Sequence, residues 1–493
     1  MLAMNSRKAN LLFVLGSVIF SIYYLDWSLG WNPVSRMALP LSLALEGNWQ
    51  IDTFSAYTGD AAHINGHYYS DKAPLPGLLM LPVIYLAKWF TPLSQLPVVE
   101  QLQWANALGA LFLGSLPFVI SLVKVQKMLG EDFPRWLSLL FFFGSFLFVF
   151  AGSAYSHALA GLLVLLSFES FQKNRPGWSG FFIGAAFCTE YTTIVFGALW
   201  GLYFLLNKSF KSTFLLGLAV VPFLLFQAWY NWHLSGSALD FAYKFQEGFK
   251  MNATHYGFGW PSLKAFYHLS ISPYRGLFFY APLLLPLLFF NKNLGIAQWW
   301  KKPLAFGLIA SLAYLLLFSF SKSWYGGWTF GPRYLYPVAL LLFVALGKDL
   351  FLSKRGQSIA VIVGTLGLLH TFADKVSVLY PPTEYLYPSV QFILPAIGHG
   401  IFNEMNLISV FGISGAVAAL VFSSLFTLWL LGVGGVPKKV TPLYLSIALA
   451  YLLGESSSPE LRVESEESFN SFSFSSFRVA LLFLENQWLK SMR

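Results

Sequence analysis

The sequence predicts an all-α polytopic membrane protein, with about 11–14 membrane helices and with interfacial helices in a large first external loop. Two observations carry this prediction. Of the 493 residues, 56% are hydrophobic and only 11% are charged, whereas soluble domains carry about 25% charged residues. Apolar runs of roughly 16–25 residues also recur along most of the chain, and each is long enough to cross or nearly cross a bilayer.

The predicted spans share a continuous apolar run between short polar segments. They lie near residues 10–27, 103–123, 136–152, 155–172, 179–191, 192–206, 212–232, 274–290, 303–320, 334–347, 357–372, 408–433 and 440–454. The two runs within 179–206 are short for two full crossings, so we expect a hairpin of broken helices there.

The run 75–91 is apolar but contains two prolines and a lysine. If it does not cross, 17 of the 31 Lys and Arg residues fall in seven short segments on the cytoplasmic side, as the positive-inside rule requires. If it crossed, this bias would reverse. We therefore predict an interfacial or re-entrant helix on the outer side. The long external segments are then 28–102, 233–273, 321–333 and 373–407.

Residues 1–454 are thus predicted to form one transmembrane domain. Residues 455–493 begin as a Ser/Glu-rich stretch, which predicts disorder, and end in a short amphipathic piece that suits a membrane surface. The net charge of +9 is explained by topology, so no nucleic-acid partner is expected. The single Cys188 excludes a disulfide framework, and no repeat at a fixed spacing supports an inverted-repeat transporter.

The first external loop contains a dense polar cluster for a chain so poor in charge. Residues 35–46 have helical periodicity and predict a helix along the membrane surface. The cluster follows within 21 positions: Asp52, Asp60, His63, His67, Tyr68, Tyr69, Asp71 and Lys72. A carboxylate here could act as a general base, and the lysine and histidines could hold phosphate. The alternative is a loop of solvated charges with turn-forming Asn-Gly and Asp-Ala pairs.

Two later external segments, SPYRGLFFYAP (272–282) and KSWYGGWTFGPRYLYP (322–337), place Arg275 and Arg333 at the outer ends of spans. Arginine can clamp a phosphate bidentately, and Trp328 could support a sugar ring. The alternative is an aromatic belt with snorkelling arginines. Glu190 lies within 179–206, where a carboxylate is costly and is usually functional or paired. We expect it to reach the outer cavity and bind the donor.

The order of these motifs resembles the GT-C superfamily of membrane glycosyltransferases, which use sugars linked to polyprenyl phosphate. They include protein mannosyltransferases and the aminoarabinose transferase of lipid A. The match to the family's first-loop motif consists of Gly66, Tyr68 or Tyr69, Lys72, Pro74 and Leu75. The resemblance implies that Lys72 contacts the donor phosphate. The family's catalytic acid, however, has no counterpart in residues 32–37.

The base must then be Asp52, Asp60 or Asp71, or Asp26 at the end of the first span. Asp60 and Asp71 are favoured because both flank the motif from His67 to Lys72. The resemblance implies transfer of a sugar, with inversion, to a glycan, lipid or protein acceptor on the external face of a bacterial inner membrane.

In this interpretation Lys72, Arg333 and Arg275 bind the donor phosphate. The predicted substrate contacts are His67, Tyr68, Tyr69, Glu190 and Trp328. The chain is expected to be a monomer without a cofactor. A divalent metal is not favoured, because no Asp or His pair has the spacing that identifies a metal site. The alternatives are a lipid or sugar transporter or flippase, and an oligosaccharide polymerase or ligase of another membrane family.

Overall fold

The computed structural model describes residues 6–290, 302–377 and 379–433. The predicted span 440–454 and the tail 455–493 lie outside these described residues. The described chain is mostly helical, as predicted, with one short β-hairpin. In it, four helices are long and apolar enough to cross a membrane: Val98–Leu129, Phe210–Ser235, Lys354–Val376 and Gly415–Gly432. Shorter apolar helices lie in the predicted spans 10–27, 155–172, 192–206 and 303–320.

In chain order, the α-helices and strands of the described residues are α1 (Ser6–Ile22), α2 (Trp31–Leu45), α3 (Asp52–Ser55), β1 (Ala61–Ile64), β2 (His67–Ser70), α4 (Leu75–Phe90), α5 (Val98–Gly109), α6 (Leu116–Leu129), α7 (Arg135–Phe143), α8 (His157–Gln172), α9 (Pro176–Phe187), α10 (Ile194–Leu206), α11 (Phe210–Ser235), α12 (Leu263–Ser270), α13 (Leu277–Tyr280), α14 (Leu285–Phe290), α15 (Pro303–Ser319), α16 (Tyr336–Phe351), α17 (Lys354–Val376), α18 (Leu394–Gly398) and α19 (Gly415–Gly432). A π-helical turn, Ala110–Ser115, joins α5 to α6 into one long helix.

Helix α2 differs from the surface helix predicted for residues 35–46. It begins earlier, at Trp31, and most of its residues are buried. It packs against α4 and α5. The contact with α4 is close at Gly77, where a Cβ atom would lie 3.1 Å from the side chain of Leu39. The polar residues of α2 are therefore enclosed by protein.

A tight hairpin brings the two favoured aspartates together. Strands β1 and β2 are antiparallel, with Ala61 opposite Ser70. The turn is Asn65-Gly66, with φ values of 53° and 85°. Positive φ at both central residues is typical of the type I′ turn, whose twist suits a two-residue hairpin. Because Asp60 and Asp71 immediately flank the last paired residues, the hairpin places them side by side.

The predicted spans 136–152 and 274–290 are each divided into shorter helices. In the segment 136–152, α7 ends at Phe143, and a 3₁₀ turn follows at Val149–Gly152. The segment 274–290 is divided into α13, a 3₁₀ turn at Pro282–Leu284, and α14. Proline at the start of this turn cannot donate the backbone hydrogen bond of a continuous helix. In contrast, α9 and α10 are two short helices separated by residues 188–193, as expected for a broken hairpin.

Candidate functional site

Lys72 lies between the two favoured aspartates. Its Nζ is 2.8 Å from a carboxylate oxygen of Asp60 and 2.8 Å from one of Asp71. Asp71 also accepts hydrogen bonds from Ser35 Oγ at 2.9 Å and from the Gln246 side chain. The Asp71 side chain is completely buried, whereas 11% of the Asp60 side chain is exposed. Asp60 is therefore the carboxylate that a bound molecule could reach more easily.

These contacts change the pKa values of Lys72 and Asp71. Burial alone would lower the pKa of Lys72, but the two neighbouring carboxylates raise it above its ordinary value. Burial raises the pKa of Asp71, and Lys72 opposes this only in part. Lys72 is therefore a fixed positive charge at neutral pH, held by one enclosed and one more accessible carboxylate.

A second ion pair is built around Glu190, in the break between α9 and α10. Glu190 Oε1 accepts hydrogen bonds from Arg36 Nη2 at 2.7 Å and from Ser156 Oγ at 2.6 Å. His157 Nδ1 is 3.5 Å from the same oxygen. Arg36 is almost fully buried on α2, and its Nε donates to Asn32 at 3.0 Å. The structure thus pairs Glu190 with Arg36, and its contact with the donor stays a prediction.

Arg333 stands at the start of the 3₁₀ turn that leads into α16. Gly331, two residues earlier, has φ of 74°, a conformation that glycine adopts without strain. The Arg333 guanidinium carbon lies 5.1 Å from the ring centre of Tyr155 and 5.2 Å from that of Tyr334. Burial alone would lower the pKa of Arg333, but Tyr334, Tyr155 and Asp60 raise it above its ordinary value. Arg333 is therefore a buried cation held beside two tyrosine rings.

Tyr243 lies beside Lys72. Its ring centre is 5.3 Å from Lys72 Nζ. Burial raises the pKa of the Tyr243 phenol, Lys72 lowers it, and the charges of Asp71 and Glu190 raise it further. We call these two ion-pair groups, with Tyr243 and Arg333, the polar centre; most of its residues are buried. Its members are Arg36, Asp60, Asp71, Lys72, His157, Glu190, Tyr243 and Arg333.

Three nitrogen atoms of the polar centre are buried without a hydrogen-bond partner among the described residues. They are Arg36 Nη1, His157 Nε2 and Arg333 Nε. A buried donor without a partner is costly, so most are satisfied by protein, water or ligand. The two arginine nitrogens are donors, and arginine matches phosphate and carboxylate geometry. The polar centre thus has the donors that an anion would satisfy.

Some predicted site residues lie outside this assembly. Asp52 and His67 are both about half exposed and are joined to each other, with 2.7 Å between Oδ2 and Nδ1. Asp52 also accepts a 2.6 Å bond from the backbone nitrogen of Tyr68, which attaches α3 to β2. Tyr69 is buried against α11, and Trp328 is 54% exposed.

Arg275 has partners other than those predicted. It is fully buried, and its guanidinium donates to the backbone carbonyls of Tyr274, Tyr325 and Gly327 at 2.9–3.1 Å. These bonds hold the chain that precedes Arg333. The geometry therefore favours a positioning role over direct contact with phosphate.

The sequence did not single out Arg36, Ser156, Tyr243 or Gln246 as site residues. Of these four residues, only Arg36 could have been identified from the sequence. A single charged residue in a long apolar helix requires a partner when it is buried. His157 Nε2 has no partner among the described residues. Within that part of the chain, no group of three or more His, Cys, Asp and Glu residues could hold a metal ion.

The fold and site together describe a mostly helical chain with helices able to cross a membrane and with an enclosed centre of paired charges. No protein-family model, curated protein or solved structure matches the chain.

Proposed function

We propose that this chain is a membrane glycosyltransferase that moves a sugar from a polyprenyl-phosphate carrier to a hydroxyl acceptor. The observation that supports this most is the position of Lys72 between Asp60 and Asp71 in the polar centre. The resemblance of the first-loop motif to GT-C enzymes adds to it. An acceptor base and a cation for the leaving phosphate are both needed in such a reaction, and here they are in contact.

In the proposed step, an acceptor oxygen attacks the anomeric carbon of the sugar. A new carbon–oxygen bond forms as the bond from that carbon to the carrier phosphate breaks, so the configuration inverts. The acceptor proton passes to Asp60. The electron pair of the broken bond stays with polyprenyl phosphate, whose added charge is stabilised by Lys72 and Arg333.

The ion pair itself suggests how the base becomes free. Without substrate, Lys72 neutralises Asp60 at 2.8 Å. A donor phosphate would compete for the same ammonium group, so its binding would release Asp60 to accept a proton. Asp71, enclosed and bonded to Ser35 and Gln246, would keep Lys72 in position. Arg275 would hold the loop that carries Arg333, and Asp52 and His67 would only brace the hairpin.

The chain is proposed to cross a bacterial inner membrane several times, with the polar centre towards the periplasmic side. The positive-inside bias of the loops supports this orientation. The four helices long enough to cross a membrane support membrane insertion. The proposed acceptor is a glycan, lipid or protein, and the proposed enzyme acts as a monomer without a cofactor.

A transporter for a lipid or sugar is the second candidate, favoured by the charges on α17. Asp374 and Lys375 are fully buried there, and both carboxylate oxygens of Asp374 have no hydrogen-bond partner among the described residues. Charges inside spans are typical of substrate and proton pathways.

The test is turnover of the purified full chain in proteoliposomes with a panel of polyprenyl-phosphate sugars and hydroxyl acceptors. We expect cleavage of the donor, with turnover reduced at least about 100-fold in Asp60→Asn. The matched control is Asp240→Asn, which alters a partly exposed aspartate paired with Lys244 in another external segment. Equal activity of the Asp60 variant and the native chain would contradict the proposal. Movement of intact donor across the vesicle membrane without bond cleavage would favour the transporter.

A further inference from the structure

A groove on the outside of the protein is unrelated to the polar centre. It lies between α9 and α11 and has a volume of about 580 Å³, within the range of about 300–1,000 Å³ for small-molecule sites. Its lining is apolar apart from one residue, Arg175, at one end. The apolar part includes Trp178, Phe181, Leu215, Ala219 and Phe223.

Helices α9 and α11 run parallel, so both begin at the same end of the groove. A Cβ atom on Gly180 of α9 would meet the backbone of Leu216, and one on Gly184 would meet the ring of Phe223. The contacts thus advance along both helices in the same direction. Each helix N-terminus carries a partial positive charge, which favours an anion nearby.

Cationic side chains stand at this same end. Arg175 immediately precedes α9, is exposed, and forms no ion pair within the described chain. Lys211, in the first turn of α11, is also exposed. Because residues four apart share a helix face, Lys211 lies on the same face as Leu215 and Ala219. The groove therefore runs from a cationic end into an apolar channel.

The apolar walls are open to the surroundings. Trp178 is 59% exposed and Phe181 is 45% exposed. Both residues are on α9, and Leu215 of the neighbouring α11, which is long and apolar enough to cross a membrane, is 36% exposed. Apolar side chains this exposed suit contact with acyl chains. A tryptophan close to cations is also typical of the membrane–water boundary.

We propose that this groove binds one anionic phospholipid, whose phosphate lies on Arg175 and Lys211 and whose acyl chain lies against Trp178 and Phe181. An anionic phospholipid fits this groove because both cations lie at one end and the rest of the lining is apolar. The positive-inside bias would put the site in the cytoplasmic leaflet, where anionic lipids attract Lys and Arg. The site is separate from the proposed transferase centre, and it does not depend on that function.

The experiment uses the full chain in nanodiscs with acyl-brominated lipids, which quench nearby tryptophan fluorescence. The signal of Trp178 is the difference between the native chain and Trp178→Phe. We expect half-maximal quenching at a lower mole fraction of brominated phosphatidylglycerol than of brominated phosphatidylcholine. Removing each cation, in Arg175→Gln and Lys211→Gln, should weaken this preference about fivefold.

The matched charge control is Lys173→Gln, which removes a neighbouring cation already paired with Glu169 at 2.7 Å. It should leave the preference unchanged. Ala219→Phe would fill the channel and should abolish Trp178 quenching while leaving both cations in place. If that variant fails to fold, the two charge variants still decide the proposal, because both side chains are exposed.

Equal quenching by the two headgroups in the native chain would overturn the proposal, since it would show lipid contact without a headgroup site. Absence of Trp178 quenching would also overturn it. Displacement of phosphatidylglycerol by polyprenyl phosphate at a much lower mole fraction would assign the groove to the carrier lipid and reject the proposed occupant.

Discussion

Two acid–base groups lie at the β-hairpin or beside it, and they differ mainly in burial. Asp52 and His67 meet on the outer part of the hairpin with about half of each side chain exposed. Asp60, Asp71 and Lys72 meet where the hairpin joins the helices, with side-chain exposures of 11%, 0% and 5%. Exposed ion pairs contribute little because water screens them. Removing one partner of an enclosed pair leaves an uncompensated charge in a low dielectric.

The comparison shows that the chemistry of a polar cluster is decided by its enclosure. The two groups have similar side chains and are separated by few residues. The enclosed group is also bonded to residues of other segments, Ser35 and Gln246, and it is the one that our proposed mechanism uses. The following predictions test this contrast, from the largest expected effect to the smallest.

Lys72→Met should have the largest effect, because it leaves the enclosed Asp60 and Asp71 facing each other without a cation. We expect a loss of stability of about 3–5 kcal/mol and a loss of donor cleavage. Thermal unfolding in detergent and turnover with lipid-linked sugar measure the two effects. Unchanged stability would mean that the buried pair is not formed. The matched control Lys244→Met, on an exposed side chain, should leave the unfolding temperature unchanged.

The same substitution should have a defined pH dependence. The carboxylates raise the pKa of Lys72 above its ordinary value, which is about 10.4 in an unfolded chain. The stabilisation by Lys72 is thus fully present below about pH 10 and is lost as pH rises through the higher folded-state pKa. Unfolding of the native chain, followed from pH 6 to 11, should show no loss of the Lys72 contribution below about pH 10. A loss of stability that begins at about pH 8 in the native chain and is absent in Lys72→Met would contradict this.

Glu190→Gln should have the next largest effect on stability, because it leaves Arg36 buried without its counter-ion. We expect about 3 kcal/mol of destabilisation, measured as a lower unfolding temperature. Glu247→Gln is the matched control, since Glu247 pairs with His63 on the surface and its side chain is 62% exposed. Equal effects of the two substitutions would remove the distinction between enclosed and exposed pairs.

Gly331→Ala should have a smaller effect on stability, but it should disturb Arg333. Alanine at φ of 74° costs about 1–2 kcal/mol, and its Cβ would lie 2.8 Å from the ring of Tyr280. We expect turnover to fall more than stability does, because Arg333 follows two residues later. Gly327→Ala is the control, with φ of 69° and no atom within 4 Å of its Cβ. If both variants lose turnover equally, the strained backbone alone explains the result.

Asp52→Asn should have the smallest effect, within about 1 kcal/mol, because the pair with His67 is exposed. Turnover should remain within about twofold of the native value, as expected for a group outside the reaction. Kinetics with the donor and acceptor used for Lys72→Met would measure this. A loss of turnover comparable with that of Asp60→Asn would return Asp52 to the set of possible bases and would reject the contrast drawn between the two groups.

Local features of the site could be predicted from sequence because neighbouring residues control them. The Asn65-Gly66 pair predicts a turn, and the hairpin around it aligns Asp60 with Asp71. Lys72 comes immediately after Asp71 in the chain. Pairing across long distances in the chain could not be predicted in this way. Arg36 and Glu190 are 154 residues apart, and neither position carries a pattern that names its partner.

Composition and apolar periodicity were sufficient to predict a mostly helical chain with helices able to cross a membrane, because these features require only local hydrogen bonding and apolar side chains. Composition also shows that the charged residues are few, at 11% of the chain. Tertiary packing decided which of those charges became enclosed. Packing buries α2 and encloses Asp60, while Asp52 stays about half exposed. It also pairs the guanidinium of Arg275 with backbone carbonyls. The physical reason is that burial and charge pairing depend on contacts between segments, which no single stretch of sequence contains.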